Sequence, residues 1–130
     1  MRSFIFAIAF TLILGGLTFA SAHRTETVRI RINHQKNIAR GRINVRFVKM
    51  VEDSRCPRDV QCIQAGNAQI RIRVSRGRRA DVLTLNTDTR DRTAEFEGYE
   101  FKLVRLTPEP RSNIRINRNA YVATIEITRR

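Results

Sequence analysis

The stretch that decides the fold is DSRCPRDVQCIQAGNA, residues 53–68, which holds both cysteines of the chain. An apolar-rich run ends just before it and another begins just after it. The side chains of Asp53 and Ser54 can hydrogen-bond backbone amides in a turn. Pro57 fixes φ beside the first cysteine, and Gly66 permits a positive φ. Together these residues predict a corner that joins two strands.

The two cysteines of this corner, Cys56 and Cys62, are the only pair that the chain can cross-link, and five residues separate them. We predict a disulfide between them. Two free thiols or half of a zinc site are the alternatives, and export of the protein would disfavour both. A ring of this size contributes about 2 kcal/mol by the chain-entropy estimate. Within the corner, Arg55 is expected to be held by a carboxylate.

Residues 1–22 have the three zones of a secretory signal peptide. Arg2 provides the basic start, an apolar run follows over residues 4–19, and Ala20-Ser21-Ala22 is a small-x-small cleavage site. Cleavage before His23 is therefore predicted, with export to the periplasm or the medium. Retention as a membrane span is the weaker alternative, because the apolar run is interrupted by two glycines and shorter than the roughly 20 residues that a span needs.

The net charge of the chain is strongly positive, with 25 Lys and Arg against 12 Asp and Glu, a formal charge of +13. Removal of residues 1–22, which contain one arginine and no acid, lowers the charge to +12 and leaves 108 residues. That length predicts a single domain, residues 23–130. Nearly all of the cations are arginines, which favour bidentate contacts to carboxylate and phosphate. Compositional bias is the alternative explanation for them.

The mature chain is dominated by short segments in which apolar and polar residues alternate, the pattern of strands with one buried face. The alternating segments are residues 26–33, 42–48, 68–74, 93–97, 99–103 and 121–127, and the apolar run at residues 82–85, after a predicted hairpin turn, is a further strand. They predict an all-β domain, an antiparallel β-sandwich or a small barrel of six to seven strands. Phe47-Val48 breaks the alternation and predicts a bulge, residues 75–78 predict a hairpin turn, and Pro108 and Pro110 are expected to end a strand.

The corner motif, Asp-Ser-Arg-Cys-Pro at residues 53–57 followed by Cys62, Ala65 and Gly66, resembles that of a set of small exported bacterial β-domains. Weaker matches at residues 106–110 and 121–123 extend this resemblance over most of the mature chain. It implies export, a β fold and a disulfide, but no activity, because none is attached to that group. Members of the group carry an aromatic residue, usually tryptophan, where this chain has Gln64, so no stacking role is expected there.

Outward-facing arginines are the candidate binding residues. Alternation directs Arg29, Arg31, Arg71 and Arg73 away from the core, which predicts an arginine-rich face that binds an anion. Arg42 and Arg46 are expected to point outward as well. The alternative is a face neutralised by outward acids such as Glu26, Glu100 and Glu126. Anionic partners in the cell envelope include lipid phosphates, acidic polysaccharide and acidic proteins. Nucleic acid is disfavoured because export removes its usual cytosolic targets and because exposed aromatics, which would form a stacking platform, are scarce in the alternating strands.

No catalytic constellation is present in the sequence, and we expect neither an enzyme nor a cofactor. A copper site on His23 as a new N-terminus would need a second histidine. The only other one, His34, is expected at the opposite end of the first strand. Arg58, inside the disulfide loop, could serve as the specificity residue of a serine-protease inhibitor. The expected function is a non-enzymatic envelope domain that binds anionic surfaces or an acidic partner, with a purely structural or protein-interaction role as the alternative.

Overall fold

Two antiparallel four-stranded sheets packed face to face make up the computed structural model, which describes residues 23–88 and 90–130. The predicted signal peptide, residues 1–22, lies outside the described residues. Within the described ranges, no helix has the length and apolar character needed to cross a membrane. The predicted β-sandwich is confirmed, because the strands form two separate sheets.

Eight strands and one short 3-10 helix form the regular structure of the described residues. The strands are β1 (Thr25–Arg31), β2 (Gln35–Ile38), β3 (Ile43–Asp53), β4 (Ala68–Arg76), β5 (Arg79–Asn86), β6 (Thr93–Phe96), β7 (Tyr99–Thr107) and β8 (Val122–Arg129), and the 3-10 helix is Arg118–Ala120. Sheet I has the strand order β1-β8-β7-β6, and sheet II has the order β2-β3-β4-β5. The first strand therefore pairs with the last.

The core lies between the sheets and consists of the apolar residues at alternate strand positions, as the alternation predicts. The fully buried large side chains are Phe47, Phe101, Ile30, Ile38, Ile43, Ile70, Ile72, Leu85, Leu103, Ile125, Val45 and Val74. Burial of these branched and aromatic groups is the main favourable term in forming a domain of this size.

The number of strands exceeds the predicted six to seven because β2 was not recognised. Only Ile38 of this four-residue strand is buried, so its sequence carries no alternation. The predicted bulge is present as a register shift between Phe47 and Lys49. A second shift, between Met50 and Glu52, lets β3 continue to Asp53, further than the alternation indicates.

The two ends of the sandwich differ in what they contain. At the corner end, the segment between β3 and β4 lies beside the segment between β7 and β8. At the turn end are the β2–β3, β4–β5 and β6–β7 connections, the start of β1 and the end of β8. The predicted hairpin is confirmed there, with Arg76 opposite Arg79 and Gly77 at φ +57°. The predicted stop also holds, because β7 ends at Thr107, directly before Pro108.

Candidate functional site

The corner is closed by backbone contacts between its two arms. Ser54 N donates to Asn67 O at 2.7 Å, and Asn67 N donates to Ser54 Oγ at 3.1 Å. Cys56 N donates to Ala65 O at 3.0 Å. Gly66 lies directly against the Ser54 main chain with φ +71°, so the predicted need for a glycine is confirmed.

Arg55 is the residue that ties the corner to the rest of the domain. Its Nε and Nη2 donate to Asp53 Oδ1 and Oδ2 at 2.7 and 2.8 Å, a bidentate pair that confirms the expected carboxylate partner. Its Nη1 and Nη2 also donate to the carbonyls of Leu106 and Pro108, at 2.7 and 2.9 Å. Tyr121 Oη donates to Asp53 Oδ2 at 2.9 Å. Every strong donor and acceptor in this cluster is therefore used inside the protein.

This cluster shifts the titration of two of its members. Asp53 as a whole residue is exposed, but its side chain and that of Arg55 each retain only 13% of their accessible surface. Burial alone would raise the pKa of Asp53, but the hydrogen bonds from Arg55 and Tyr121 and the charge of Arg55 outweigh burial and lower it. Burial, together with the hydrogen bond to Asp53 and its negative charge, raises the pKa of Tyr121 to about 12. The cluster thus favours a charged carboxylate beside a neutral phenol.

We predict that this cluster makes stability pH-dependent at both extremes. Because the pKa of Asp53 is lower in the folded than in the unfolded chain, its contribution is complete above about pH 4 and is lost as the pH falls through the folded pKa. The contribution of neutral Tyr121 is complete below about pH 10 and is lost as the pH rises to about 12. Urea unfolding from pH 2.5 to 7, with Asp53→Asn beside the wild type, checks the acid limb. The difference in unfolding free energy between the two should shrink toward acid, and a constant difference would contradict the assignment.

The disulfide loop is held against a neighbouring segment. Cys56 and Cys62 are bridged, as predicted, with 5.9 Å between their Cα atoms. Inside the loop, Arg58 N donates to Pro110 O at 3.0 Å and the Arg58 guanidinium pairs with Glu109 at 2.7 Å. Asp59 accepts hydrogen bonds from the amide and the hydroxyl of Ser112. Protease inhibition requires a loop that projects freely into another protein, and these contacts hold both the main chain and Arg58 on residues 109–112.

The four arginines predicted to form one face are divided between the two sheets. Arg29 and Arg31 lie on β1 of sheet I, whereas Arg71 and Arg73 lie on β4 of sheet II. All four point outward, so the two pairs lie on opposite faces of the sandwich. The expectation of a single face is therefore corrected. Alternation gives the direction of each side chain, but it does not give the sheet to which its strand belongs.

The outer face of sheet I mixes charges of both signs. Lys102 is opposite Glu126 across β7 and β8, and Glu100 forms an ion pair with Arg130. On β1, Arg31 Nε donates to the carbonyl of Asn119, in the 3-10 helix, at 3.2 Å. Glu26 was expected among the outward acids, but it lies two residues before the inward-facing Val28 and therefore shares its side of the strand. It accepts a hydrogen bond from the Ala39 amide. On this sheet the neutralised alternative fits best.

The outer face of sheet II is different, because like charges are paired directly across its central strands. Arg46 is opposite Arg73, and Lys49 is opposite Arg71. We call these four residues the basic face. None of them makes an ion pair within the described part of the chain, and Glu52, the one acid at an outward position of β3, is opposite Gln69. The sequence did not single out Lys49, because its direction depends on the bulge before it.

The two histidines and the acids of the described residues form no metal site. Residues 23–88 and 90–130 contain no group of three or more His, Cys, Asp or Glu side chains that could hold a metal ion. His23 precedes β1, and His34 follows the turn after it, so the two imidazoles lie at opposite ends of that strand. Their Nδ1 atoms contact the carbonyls of Arg129 and Ile32, at 3.2 and 3.0 Å.

Comparisons of the chain with family models, with curated proteins and with solved structures found no match. The resemblance of residues 53–66 to the exported bacterial β-domains therefore stays a prediction.

Proposed function

We propose that the protein is an exported, non-enzymatic domain that binds an anionic surface of the cell envelope through the basic face of sheet II. The observation that carries this proposal is the pairing of Arg46 with Arg73 and of Lys49 with Arg71. Like charges directly opposite each other in a sheet are destabilising, whereas an opposite-charge pair contributes about 0.2–1 kcal/mol. Two such pairs without acids between them are a cost that an anionic partner would remove.

The dimensions of the basic face suit a flat or extended partner. Opposite side chains are about 5 Å apart at Cβ, and outward neighbours along one strand are about 7 Å apart. Four cations thus cover a compact, flat area rather than surrounding a small molecule. Each Lys or Arg near an anionic membrane contributes about 1 kcal/mol to attraction. Val82, opposite Arg73 and 51% exposed, adds an apolar contact at the side of this area.

Export rests on residues 1–22 and is supported by the Cys56–Cys62 disulfide, since disulfides persist in oxidising compartments. A protein-interaction role for the same face is the alternative, and an acidic protein would recognise it by the same charges. The inhibitor alternative is weaker, because Arg58 is paired with Glu109.

The proposal is tested by comparing two double variants that carry the same change of charge on opposite faces. Arg71→Glu/Arg73→Glu reverses part of the basic face, and Arg29→Glu/Arg31→Glu reverses the matching Arg-x-Arg pair on sheet I. Binding to phosphatidylcholine vesicles with and without phosphatidylglycerol is measured by co-sedimentation. We expect the sheet II variant to lose binding and the sheet I variant to keep most of it. Wild-type binding should weaken as salt rises above about 0.1 M, where the Debye length is about 10 Å.

The same sheet II variant carries a second expectation that separates a binding role from a structural one. Each substitution turns a like-charge pair into an opposite-charge pair, which should leave the unfolding free energy unchanged or raise it by about 1 kcal/mol at low salt. Thermal and urea unfolding measure this. If this variant binds anionic vesicles as well as the wild type does, at low and at high salt, the proposal is wrong. A variant that loses stability would indicate a structural role for these arginines.

A further inference from the structure

At the turn end of the sandwich, the inward-facing residues of three strands change from apolar to polar or amphipathic ones. On β1 the series that includes Val28 continues to Glu26, and on β8 the series that includes Ile127 continues to Arg129. On β7 the inward series begins at Tyr99, which is half-buried. The hydrophobic core therefore ends before the strands do, and the space between the sheets opens to solvent.

This opening is a cleft of about 550 Å³. Its polar lining consists mainly of arginines, and its walls include an aromatic and an aliphatic side chain. We call it the arginine cleft and define it by Arg24, Arg40, Arg42, Arg129, Tyr99 and Ile127. Its volume falls within the range of about 300–1,000 Å³ that is typical of small-molecule sites.

The arginines of the cleft have no acidic partners. None of the four makes an ion pair in the part of the chain that the structure describes. The acid that lines the cleft, Glu26, accepts a hydrogen bond from the Ala39 amide at 3.1 Å.

Three acids at this end of the molecule, Glu95, Glu97 and Glu100, pair with other arginines. Arg79 pairs with Glu97 at 2.7 Å, and Arg130 pairs with Glu95 and Glu100. Arg76 and Arg78, in the β4–β5 hairpin at this end, also make no ion pair in the described part of the chain, so what distinguishes the cleft is that four unpaired arginines line one concave space.

The backbone that presents two of these arginines is in an unusual conformation. Ala39, Arg40 and Gly41, in the loop between β2 and β3, have consecutive positive φ values of 51°, 58° and 80°. Positive φ is unfavourable for alanine and arginine. The loop is held in this form by the bond from Ala39 N to Glu26 and by the bond from Gly41 N to Ile38 O, at 3.0 Å.

We propose that the arginine cleft binds a compact ligand that carries two phosphate groups. Guanidinium groups bind phosphate oxygens in bidentate fashion, and several of them converge on one concave space here. A diphosphate carries its negative charge within a few ångströms, which suits several arginines around one small cleft. An acidic polymer spreads its charge along a chain and suits such a cleft less well. The half-buried ring of Tyr99 offers an apolar contact for the group that bears the phosphates. This site does not depend on the basic face, which is flat and lies on the outside of sheet II.

The test is calorimetric titration of the purified protein with inorganic pyrophosphate, inorganic phosphate and citrate at low salt. We expect pyrophosphate to bind more tightly than phosphate or citrate. Arg42→Gln/Arg129→Gln should weaken pyrophosphate binding about tenfold or more, because two charge-assisted contacts are lost. The matched control, Arg111→Gln/Arg115→Gln, removes the same charge at the corner end and should bind as the wild type does. Circular dichroism of each variant checks that the fold is intact.

The source of the phosphates is resolved by a second arm in the Arg71→Glu/Arg73→Glu background, which removes membrane binding by the basic face. Recruitment to phosphatidylcholine vesicles that contain a lipid diphosphate, diacylglycerol pyrophosphate, and its loss on adding Arg42→Gln/Arg129→Gln indicate a lipid headgroup, and no recruitment indicates a soluble ligand. The proposal is overturned if pyrophosphate does not bind the wild type, if citrate binds equally well, or if the control variant loses as much affinity as the cleft variant.

Discussion

Gly66→Ala is expected to destabilise the protein by about 4 kcal/mol or more, a large part of the 5–15 kcal/mol typical of a domain. A Cβ at this position would lie 1.8 Å from Ser54 O and 2.7 Å from Ser54 C. Both are backbone atoms, and Ser54 cannot move away without breaking its bonds to Asn67. The φ of +71° adds a conformational cost for any residue with a side chain.

Gly77→Ala is the matched control for this prediction. Gly77 also has a positive φ, +57°, but nothing lies within 4 Å of the Cβ that alanine would add. Its expected cost is only the conformational one, about 1–2 kcal/mol. Urea unfolding compares the two variants, and if Gly66→Ala does not accumulate folded, its soluble yield beside that of Gly77→Ala gives the comparison. Equal effects of the two substitutions would show that the contact with Ser54 is not what requires Gly66.

Arg55→Ala is expected to cost about 3 kcal/mol, near the lower limit for breaking a buried ion pair. The substitution removes both contacts to Asp53 and leaves the carbonyls of Leu106 and Pro108 without their donor. Asp53 would keep its charge in a largely covered position, with Tyr121 as its remaining side-chain donor. Denaturant unfolding at pH 7 measures the loss.

Arg58→Ala, three residues further along the same corner, is the control for Arg55→Ala. The Arg58 side chain is 66% exposed and pairs with a single carboxylate, that of Glu109. A surface pair of this kind contributes at most about 1 kcal/mol. If Arg55→Ala costs no more than Arg58→Ala, then the contacts of Arg55 do not hold the corner in place.

The fold could be predicted from local pattern because, in most strands, the alternation of apolar and polar residues shows which side faces the core. Val45, Ile72 and Ile125 are buried where alternation puts them. The sequence does not predict strand β2, because Ile38 is its only buried residue and one apolar residue cannot show an alternating pattern.

The candidate site was harder to predict because its geometry depends on contacts that are distant in sequence. A carboxylate partner for Arg55 could be expected from the motif, since Asp53 is two residues away. Tyr121 lies 68 residues from Asp53, and nothing local indicates that contact. For the same reason, the sequence could not show which arginines share a face. Pairing partners in a sheet are non-local, so one sequence could not show that Arg73 is opposite Arg46 while Arg29 belongs to the other sheet.

The pairing of β1 with β8 has a consequence for the order in which the chain can fold during synthesis. Strand β1 is the first to leave the ribosome, and its neighbour in sheet I is the last. Sheet II, from β2 to β5, is contiguous in sequence and can assemble early, but its apolar side then has no complete second layer to cover it. Contacts between such distant segments form slowly, because a long loop must be closed first. Until Val122–Arg129 has been made, the nascent chain therefore stays incompletely folded and dependent on protection of its exposed apolar surface.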